Sequence, residues 1–249
     1  MGKNKKIYFA SDAHLGYPSY EKSLKREKLF VKWLDEIKSD AQEIYLLGDI
    51  FDFWFEYKKV IPRGFSRFLG KICELTDKGI VVYFFTGNHD LWVTDYLPKE
   101  TGVILQRNPV TKIINGKKFF LAHGDGLGPG DKGYKRLKKI FTNPILHWLF
   151  SRLHPNVAFA IAHSWSISSR EAKGLVAEEF KGVDKENLVI YAKEELKYEH
   201  FDYMIFGHRH VPIDLKLNNK CQFINLGDWI THFTYAVFDG DKLELKEFK

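Results

Sequence analysis

The chain has 249 residues, of which 45% are hydrophobic and 28% charged, and its formal net charge is +6. This composition is that of an ordinary globular protein with a full core, and it excludes a low-complexity chain. No apolar run approaches the ~20 residues of a membrane span, and the first residues lead into a strand without the apolar segment of a signal peptide. Cys73 and Cys221 lie far apart in apolar contexts, which predicts two buried free thiols in a reducing cytosol rather than a disulfide.

The first half of the chain alternates strand-like and helix-like segments. Strands are predicted at 6–10, 44–47 and 80–85, and helices at 22–37 and 65–78. This β-α-β-α-β order favours a sheet with parallel neighbours. The apolar runs then shorten between residues 102 and 122, where Asn115-Gly116 predicts the turn of a hairpin between 111–114 and 118–122.

The second half of the chain differs from this pattern. Short strand-like runs are found at 203–206, 214–217, 221–224, 233–238 and 243–247. Parallel strands at the front and antiparallel strands at the back predict two sheets packed together with helices outside. Residues 132–181 are predicted to be helical and are rich in aromatic and basic side chains. We therefore expect a helical insertion within a single α/β domain that spans residues 1–249.

Polar residues recur where the predicted strands end. The clusters are Asp12-Ala-His14, Gly48-Asp49-Ile-Phe-Asp52, Gly87-Asn88-His89-Asp90, His123-Gly-Asp125 and Gly207-His208-Arg-His210. Ligands bind at the carboxyl ends of strands in open α/β sheets. Residues two apart in extended backbone point to the same side, so Asp12 with His14 is predicted to face one point, as is His208 with His210.

These clusters supply carboxylates, imidazoles and an amide, with no thiolate. This set suits Mn²⁺, Fe²⁺ or Zn²⁺ better than a structural zinc site built from cysteines. Seven candidate ligands are too many for one ion; they match two ions that share a bridging carboxylate and act together on a displacement at phosphorus. Each cluster alone is a common turn or loop sequence, but five in one chain indicate a metal centre.

The motifs D-x-H, G-D-x-x-D, G-N-H-D, a His before Gly, and G-H-x-H follow one another in an order that resembles the calcineurin-like metallophosphoesterases, over about residues 6 to 239. The resemblance implies a four-layer αββα sandwich of two mixed sheets with two divalent ions, Mn²⁺ being the first choice. It implies that one ion is held by Asp12, His14, Asp49 and His210 and the other by Asp49, Asn88, His123 and His208. Asp49 would bridge the ions.

The same resemblance implies roles for the residues around the ligands. Asn88 would face the phosphate while binding an ion. His89 would stabilise an oxyanion or protonate a leaving group, which suits a side chain that titrates near neutrality. Asp52 and Asp90 would orient ligands or His89 through hydrogen bonds. The chain is therefore expected to hydrolyse a phosphoester or pyrophosphate.

A narrower resemblance concerns the substrate. The stretch HGDGLGPGDKGY at 123–134, the helical insertion with Ser169-Arg-Glu-Ala, and the late Leu-Gly-Asp-Trp at 226–229 are similar to UDP-2,3-diacylglucosamine hydrolases of lipid A biosynthesis. In that family the insertion caps the metal site and holds two acyl chains, and the products are UMP and 2,3-diacylglucosamine 1-phosphate. Substrate contacts are implied for Asn88, His89, Asp131, Ser169 and His208. His89 departs from the family pattern, which has Arg there.

The positive charge fits either nucleic acid or an anionic lipid surface. Aromatic residues beside lysines and arginines could stack on bases or lie at a membrane interface, and apolar bulk dominates residues 143–165. We therefore expect a peripheral protein at the cytoplasmic face of the inner membrane, with a lipid nucleotide as substrate and no nucleic-acid partner. The alternatives are a phosphoesterase for another nucleotide, nucleic-acid or lipid phosphodiester, and a binding module that has lost the chemistry.

Overall fold

The computed structural model describes residues 5–130, 132–172, 179–218 and 220–249, with only the backbone of residues 132, 165 and 167–172. The described strands are β1 (Lys6–Ala10), β2 (Ala41–Leu47), β3 (Val81–Phe85), β4 (Ile104–Gln106), β5 (Val110–Ile114), β6 (Lys117–Ala122), β7 (Tyr203–Phe206), β8 (Pro212–Lys216), β9 (Gln222–Leu226), β10 (Thr234–Phe238) and β11 (Leu243–Glu247). The helices are α1 (Tyr20–Ile37), α2 (Ser66–Asp77), α3 (Tyr96–Thr101), α4 (Lys132–Phe141), α5 (Pro144–Phe150), α6 (Pro155–Ala172) and α7 (Asn187–Glu195).

The strands form two mixed sheets. The first has the order β11-β10-β1-β2-β3-β4, with β1 to β4 parallel and β10 antiparallel to both β1 and β11. The second has the order β5-β6-β7-β9-β8, with a parallel centre of β6, β7 and β9 and the predicted β5–β6 hairpin at one edge. The prediction that the late strands form a separate antiparallel sheet is wrong in two respects. β7 and β9 run parallel to β6 in the second sheet, and β10 and β11 instead cover the free edge of β1, where unpaired backbone groups would otherwise remain.

Apolar clusters fill the space between and outside the sheets. Between them, the ring of Phe9 lies 6.1 Å from that of Phe119 and 5.1 Å from that of Tyr45. Helices α1 and α2 pack on the outer face of the first sheet, and α7 packs on the outer face of the second. Burial on both faces explains why the central strands read as nearly continuous apolar runs. The predicted αββα sandwich is confirmed.

The helices α4, α5 and α6, residues 132–172, are called the helical segment below. They lie against the loops that follow β2 and β3: Phe53 packs edge to face on Phe159 at 5.1 Å, and the Trp92 indole donates a hydrogen bond of 2.9 Å to the Phe141 carbonyl. The assignment of residues 132–181 as an insertion within one domain stays a prediction. Among the described residues no helix is both long and apolar enough to cross a bilayer.

Both cysteines are free thiols, as predicted. Cys221 is buried, whereas Cys73 on α2 is only half-buried.

Candidate metal centre

The five polar clusters follow the carboxyl ends of β1, β2, β3, β6 and β7. Because β1 to β3 are parallel in one sheet, and β6 and β7 in the other, these ends meet at one edge of the sandwich. Side-chain ligand atoms there lie within 4.8 Å of one another in three groups: Asp12, His14 and His210; His14, Asp49 and His89; Asp49, His123 and His208. The seventh predicted ligand, Asn88, places its Oδ1 atom 3.4 Å from the Nε2 atom of His123.

The backbone of the ligands is left-handed, not extended. Asp12, His14, Asp49, His208 and His210 have φ angles of 54°, 42°, 52°, 69° and 52°. The premise that both residue pairs continue their strands is therefore wrong, because β1 ends at Ala10 and β7 at Phe206. Asp12 and His14 still share a group, but His208 and His210 fall in different groups. Non-glycine residues in this region cost about 1 kcal/mol or more each, and such strain clusters at functional sites.

Glycines allow the ligand loops to approach closely. A Cβ atom at Gly207 would lie 2.6 Å from the Asp12 Oδ2 atom and equally close to the Ser11 hydroxyl. A Cβ atom at Gly87 would collide with the Asp49 carboxylate. The glycine that opens each of the G-N-H-D and G-H-x-H motifs is thus required because a candidate ligand occupies the space of its missing side chain.

The imidazole rings are oriented by acceptors behind them. In three of the four histidines predicted as ligands, the Nδ1 atom faces an oxygen, so the Nε2 atom is directed at the shared centre with its lone pair available. The acceptors are the Leu47 carbonyl for His123 at 2.7 Å, the Asp52 carboxylate for His14 at 3.3 Å and the Asp228 carboxylate for His210 at 3.2 Å.

In each of the two central carboxylates, one oxygen accepts a hydrogen bond from the backbone and the other faces the candidate centre. Asp49 accepts a hydrogen bond from the His89 backbone N–H through Oδ1, and its Oδ2 atom lies 3.7 Å from His14 Nε2 and 3.3 Å from His123 Nε2. Asp12 accepts from the His208 N–H through Oδ2, whereas its buried Oδ1 atom has no hydrogen-bond donor among the described residues. A buried carboxylate oxygen without a donor is costly unless a cation faces it. The residues present therefore fit divalent ions, and Asp49 Oδ2 faces the imidazoles of two different groups.

The electrostatics keep the two central carboxylates and His208 in ligand form. His123 differs, because burial opposes its protonation but the charge of Asp49 and of other carboxylates raises its pKa to about 10. Burial opposes ionisation of Asp12, but the neighbouring imidazoles, His210 first, together outweigh it and lower the pKa of Asp12 to about 2. Burial likewise opposes ionisation of Asp49, yet the His123 imidazole holds its pKa well below the usual range. Burial lowers the pKa of His208 to about 3, so this ring is neutral. Ionised carboxylates and a neutral imidazole are the forms that bind metal ions.

The carboxylates of the two expected orienting residues have different partners. Asp52 lies beside both His14 and His89, and its backbone carbonyl accepts a hydrogen bond of 2.9 Å from His89 Nδ1. Asp90 instead accepts hydrogen bonds from backbone N–H groups, through both carboxylate oxygens. These donors are Gly87 at 2.7 Å, Asp49 at 3.3 Å, Ile50 at 2.9 Å and Phe51 at 3.3 Å.

The expectation that Asp90 itself holds the His89 ring therefore differs from this geometry, because both of its oxygens face backbone donors. Asp90 is fully buried and joins the loop after β3 to the loop after β2. Burial and the charge of Asp49 raise the pKa of Asp90 to about 7, against the N–H groups that favour its ionised form.

A cavity of about 550 Å³ opens on the candidate centre and is roofed by the helical segment. Three of the residues expected to contact substrate, Asn88, His89 and His208, line it. Asp131 and the side chain of Ser169 lie outside the described residues. The rest of the wall is mainly apolar and aromatic, and includes Phe53, Trp92, Leu137, Phe141, Phe150 and Ile161.

Sequence reasoning missed several residues that support this site. Asp228 holds His210 and also accepts three backbone N–H bonds from residues 230–232. Arg26, buried on α1, donates to the backbone carbonyls of Ala13 and His14. The sequence could have indicated Asp228, since its Gly-Asp pair after a strand repeats the Gly48-Asp49 pattern. Nothing in the sequence indicated Arg26, because its helix has the pattern of an ordinary amphipathic helix.

Comparison with known proteins agrees with this geometry. The family model for calcineurin-like phosphoesterases matches residues 5–212. A protein of Porphyromonas gingivalis named UDP-2,3-diacylglucosamine hydrolase is 40% identical over 98% of both chains, and one of the same name from Vibrio atlanticus is 30% identical over 97% of this chain and 96% of its own. The solved structure of Yfce, a phosphoesterase from E. coli, aligns over 97% of this chain and 92% of its own, with 17% identity and a TM-score of 0.45.

The family match covers most of the chain, and both curated relatives match it nearly end to end. A phosphoesterase family with this carboxylate and histidine cluster binds divalent metal ions and hydrolyses its substrates. The chain is thus a hydrolytic enzyme that belongs to the calcineurin-like phosphoesterase family.

Proposed function

We propose that this enzyme cleaves the pyrophosphate of UDP-2,3-diacylglucosamine to UMP and 2,3-diacylglucosamine 1-phosphate, a step of lipid A biosynthesis. The observation that carries the proposal is the apolar cavity under the helical segment, which ends at Asn88, His89 and His208. A phosphate at the metal centre and acyl chains in the cavity would belong to one molecule. Relatives that match nearly the whole chain carry the name of this activity.

The shape and chemistry of the cavity support a lipid substrate. Aromatic and aliphatic side chains from α4, α5 and α6 face the loops after β2 and β3, where Phe53 and Trp92 lie. A site for a free nucleotide would need polar groups on this wall, whereas acyl chains gain about 0.8 kcal/mol for each CH₂ group that they bury. The largest apolar surface of the site therefore matches the acyl half of the proposed substrate.

Two divalent ions, for which we propose Mn²⁺, would supply a nucleophile at neutral pH and neutralise charge on the phosphate. The first would be held by Asp12, His14, Asp49 and His210, and the second by Asp49, Asn88, His123 and His208. The protein itself contributes the fixed ring orientations and the amide of Asn88, which is positioned before the substrate arrives.

His89 is the residue that we propose to act on the phosphate. Its Nδ1 atom must carry a proton, because the carbonyl of Asp52 that it faces can only accept. Its side chain is 21% exposed and lines the cavity. The Nε2 atom can then donate to a phosphate oxygen when the ring is protonated, or accept a proton when it is neutral.

We further propose that the helical segment rests on the cytoplasmic face of the inner membrane. Its surface exposes several large apolar side chains, among them Ile145, Trp148, Leu149, Val157 and Ile161. Basic residues lie beside them, and the guanidinium of Arg152 stacks at 4.7 Å over the ring of Trp148. Apolar and cationic side chains on one surface suit a leaflet that contains anionic lipids.

Release of UMP tests the proposed reaction. The purified protein with Mn²⁺ is expected to release UMP from UDP-2,3-diacylglucosamine in detergent micelles, measured by chromatography. Hydrolysis of other phosphodiesters without release of UMP would overturn the substrate and leave the metal chemistry in place. Binding to vesicles with 30% anionic lipid, weakened by Trp148→Ala without loss of turnover in micelles, tests the membrane contact.

A further inference from the structure

The helical segment contacts the candidate metal centre through polar as well as apolar side chains. Ser166 on α6 is 8% exposed and donates a hydrogen bond of 3.0 Å to Oδ2 of Asp52. The other carboxylate oxygen of Asp52 lies 3.3 Å from Nδ1 of His14. A hydroxyl of the helical segment is therefore connected to a candidate metal ligand through a single carboxylate.

The same carboxylate residue also fixes His89. The backbone carbonyl of Asp52 accepts the bond from His89 Nδ1, and the rings of His14 and His89 meet edge to face at 4.7 Å. Asp52 is 4% exposed, so its carboxylate interacts with these buried partners and hardly at all with solvent. Any shift of Asp52 would move a metal ligand and the residue proposed to act on the phosphate together.

A second polar contact joins α4 to the other half of the centre. The Tyr134 hydroxyl and the Lys138 ammonium both donate to Oδ2 of Asp125, the latter at 2.6 Å. Asp125 is buried and lies two residues after His123. Helix α6 thus binds a buried carboxylate in a ligand loop of the first sheet, and helix α4 binds a buried carboxylate in a ligand loop of the second sheet.

We propose that the helical segment positions the metal-ligand loops, with Ser166 as a positioning residue for His14 and His89 through Asp52. This deepens the proposed function, in which the same segment holds acyl chains, and it predicts that the segment matters even for a substrate without them. A hydrogen bond to a buried charged group fixes its geometry strongly. Without the Ser166 hydroxyl, the Asp52 carboxylate loses one of the groups that fix its orientation beside His14.

The test uses Ser166→Ala and bis(p-nitrophenyl) phosphate, a diester with neither acyl chains nor uridine. Partners behind metal ligands typically change metal affinity or activity by 10–100-fold, and Ser166 acts one contact further out. We expect Mn²⁺ binding, measured by titration calorimetry, to weaken by about 10-fold, with kcat lowered and KM for the diester nearly unchanged. Ser166→Thr, which keeps the hydroxyl, is expected to recover most of both quantities.

Ser151→Ala is the matched control, because the hydrogen bond of the Ser151 hydroxyl within the described part of the chain goes to the Trp148 carbonyl of its own helix end, at 2.6 Å. It is expected to bind Mn²⁺ and turn over the diester like the parent protein. In an Asp52→Asn background, Ser166→Ala is expected to add little, since the two residues act in one chain of contacts.

Wild-type Mn²⁺ binding and diester turnover in Ser166→Ala would overturn the positioning role. A defect confined to the lipid substrate would overturn it as well, and would assign Ser166 to substrate contact. Failure of the parent protein to release UMP would instead count against the proposed function alone, because neither the Mn²⁺ titration nor the small diester involves acyl chains.

Discussion

His89→Ala is expected to separate catalysis from metal binding. The contact between residue 89 and the bridging candidate Asp49 is made by the backbone N–H, at 2.8 Å, and alanine keeps that N–H. The substitution removes only the ring, with its bond to the Asp52 carbonyl and its edge contact with His14. The seven predicted metal ligands therefore keep their support.

The size of the effect follows from what the ring can do. A positioned acid or base contributes about 10²–10⁴-fold to a rate. The other described imidazole outside the predicted ligands that lines this cavity, His147, packs beside the rings of Phe55 and Trp92. We expect kcat to fall by about 10²–10³-fold. His89→Arg would retain a donor but lose the ability to exchange a proton, so an intermediate rate is expected.

The assay pairs steady-state UMP release with metal content measured after reconstitution and gel filtration. His200→Ala is the control, since that ring is 54% exposed and contacts only Asp202 at the far end of β7. Near-normal turnover in His89→Ala would refute the role of the ring at the phosphate. Loss of bound metal in parallel with loss of rate would show that His89 belongs to the ligand set, as its grouping with His14 and Asp49 allows.

Three further changes are predicted to affect the centre or the sandwich beneath it. Gly207→Ala should weaken Mn²⁺ binding by more than 10-fold in titration calorimetry, because its Cβ atom would lie 2.6 Å from Asp12 Oδ2. Lys112→Met should lower the free energy of unfolding in urea by about 2 kcal/mol, because it leaves the half-buried Glu43 carboxylate and two tyrosine hydroxyls without the ammonium between them. Chelation of the metal should lower the melting temperature, since a ligand at 100 times its Kd stabilises the folded state by about 2.7 kcal/mol.

The sequence was sufficient for ten of the eleven described strands and for the composition of the site, whereas the short strand β4 was missed. Buried strands are local apolar runs, and the Asn115-Gly116 turn forces its hairpin, so both can be found without tertiary information. The candidate ligands were found because each cluster sits directly after a strand. Their proximity follows from parallel strands ending at one edge.

What the sequence could not provide depends on contacts between distant segments. The spacing of His208 and His210 predicted that they face one point, whereas the family resemblance assigned them to different ions. Left-handed backbone at both residues separates them, and a local pattern does not encode it. Three of the four backbone donors to Asp90 lie about 40 residues away, and Ser166 is 114 residues from Asp52. A serine on an apolar helix gives no sign of such a role until the helix is placed over the site.

The candidate centre also joins the two sheets to each other. His208 belongs to the second sheet, yet its N–H bonds the Asp12 carboxylate of the first, and His123 of the second sheet bonds the Leu47 carbonyl of the first. The candidate ligands are therefore the contacts that hold the carboxyl ends of the two sheets together.

The candidate centre brings ionisable side chains from both sheets together at this junction. The interaction between their charges therefore depends on whether metal ions are bound between them. Asp12 and Asp49 are both buried, and burial together with the charge of Asp49 opposes ionisation of Asp12. Divalent ions would cancel that repulsion while binding ligands from both sheets, so metal binding and closure of this edge should be one equilibrium. The inter-sheet core around Phe9 and Phe119 keeps the sandwich folded without metal. Chelation should therefore speed amide hydrogen exchange most in the ligand loops, while the central strands lose only the global stability that the lower melting temperature reports.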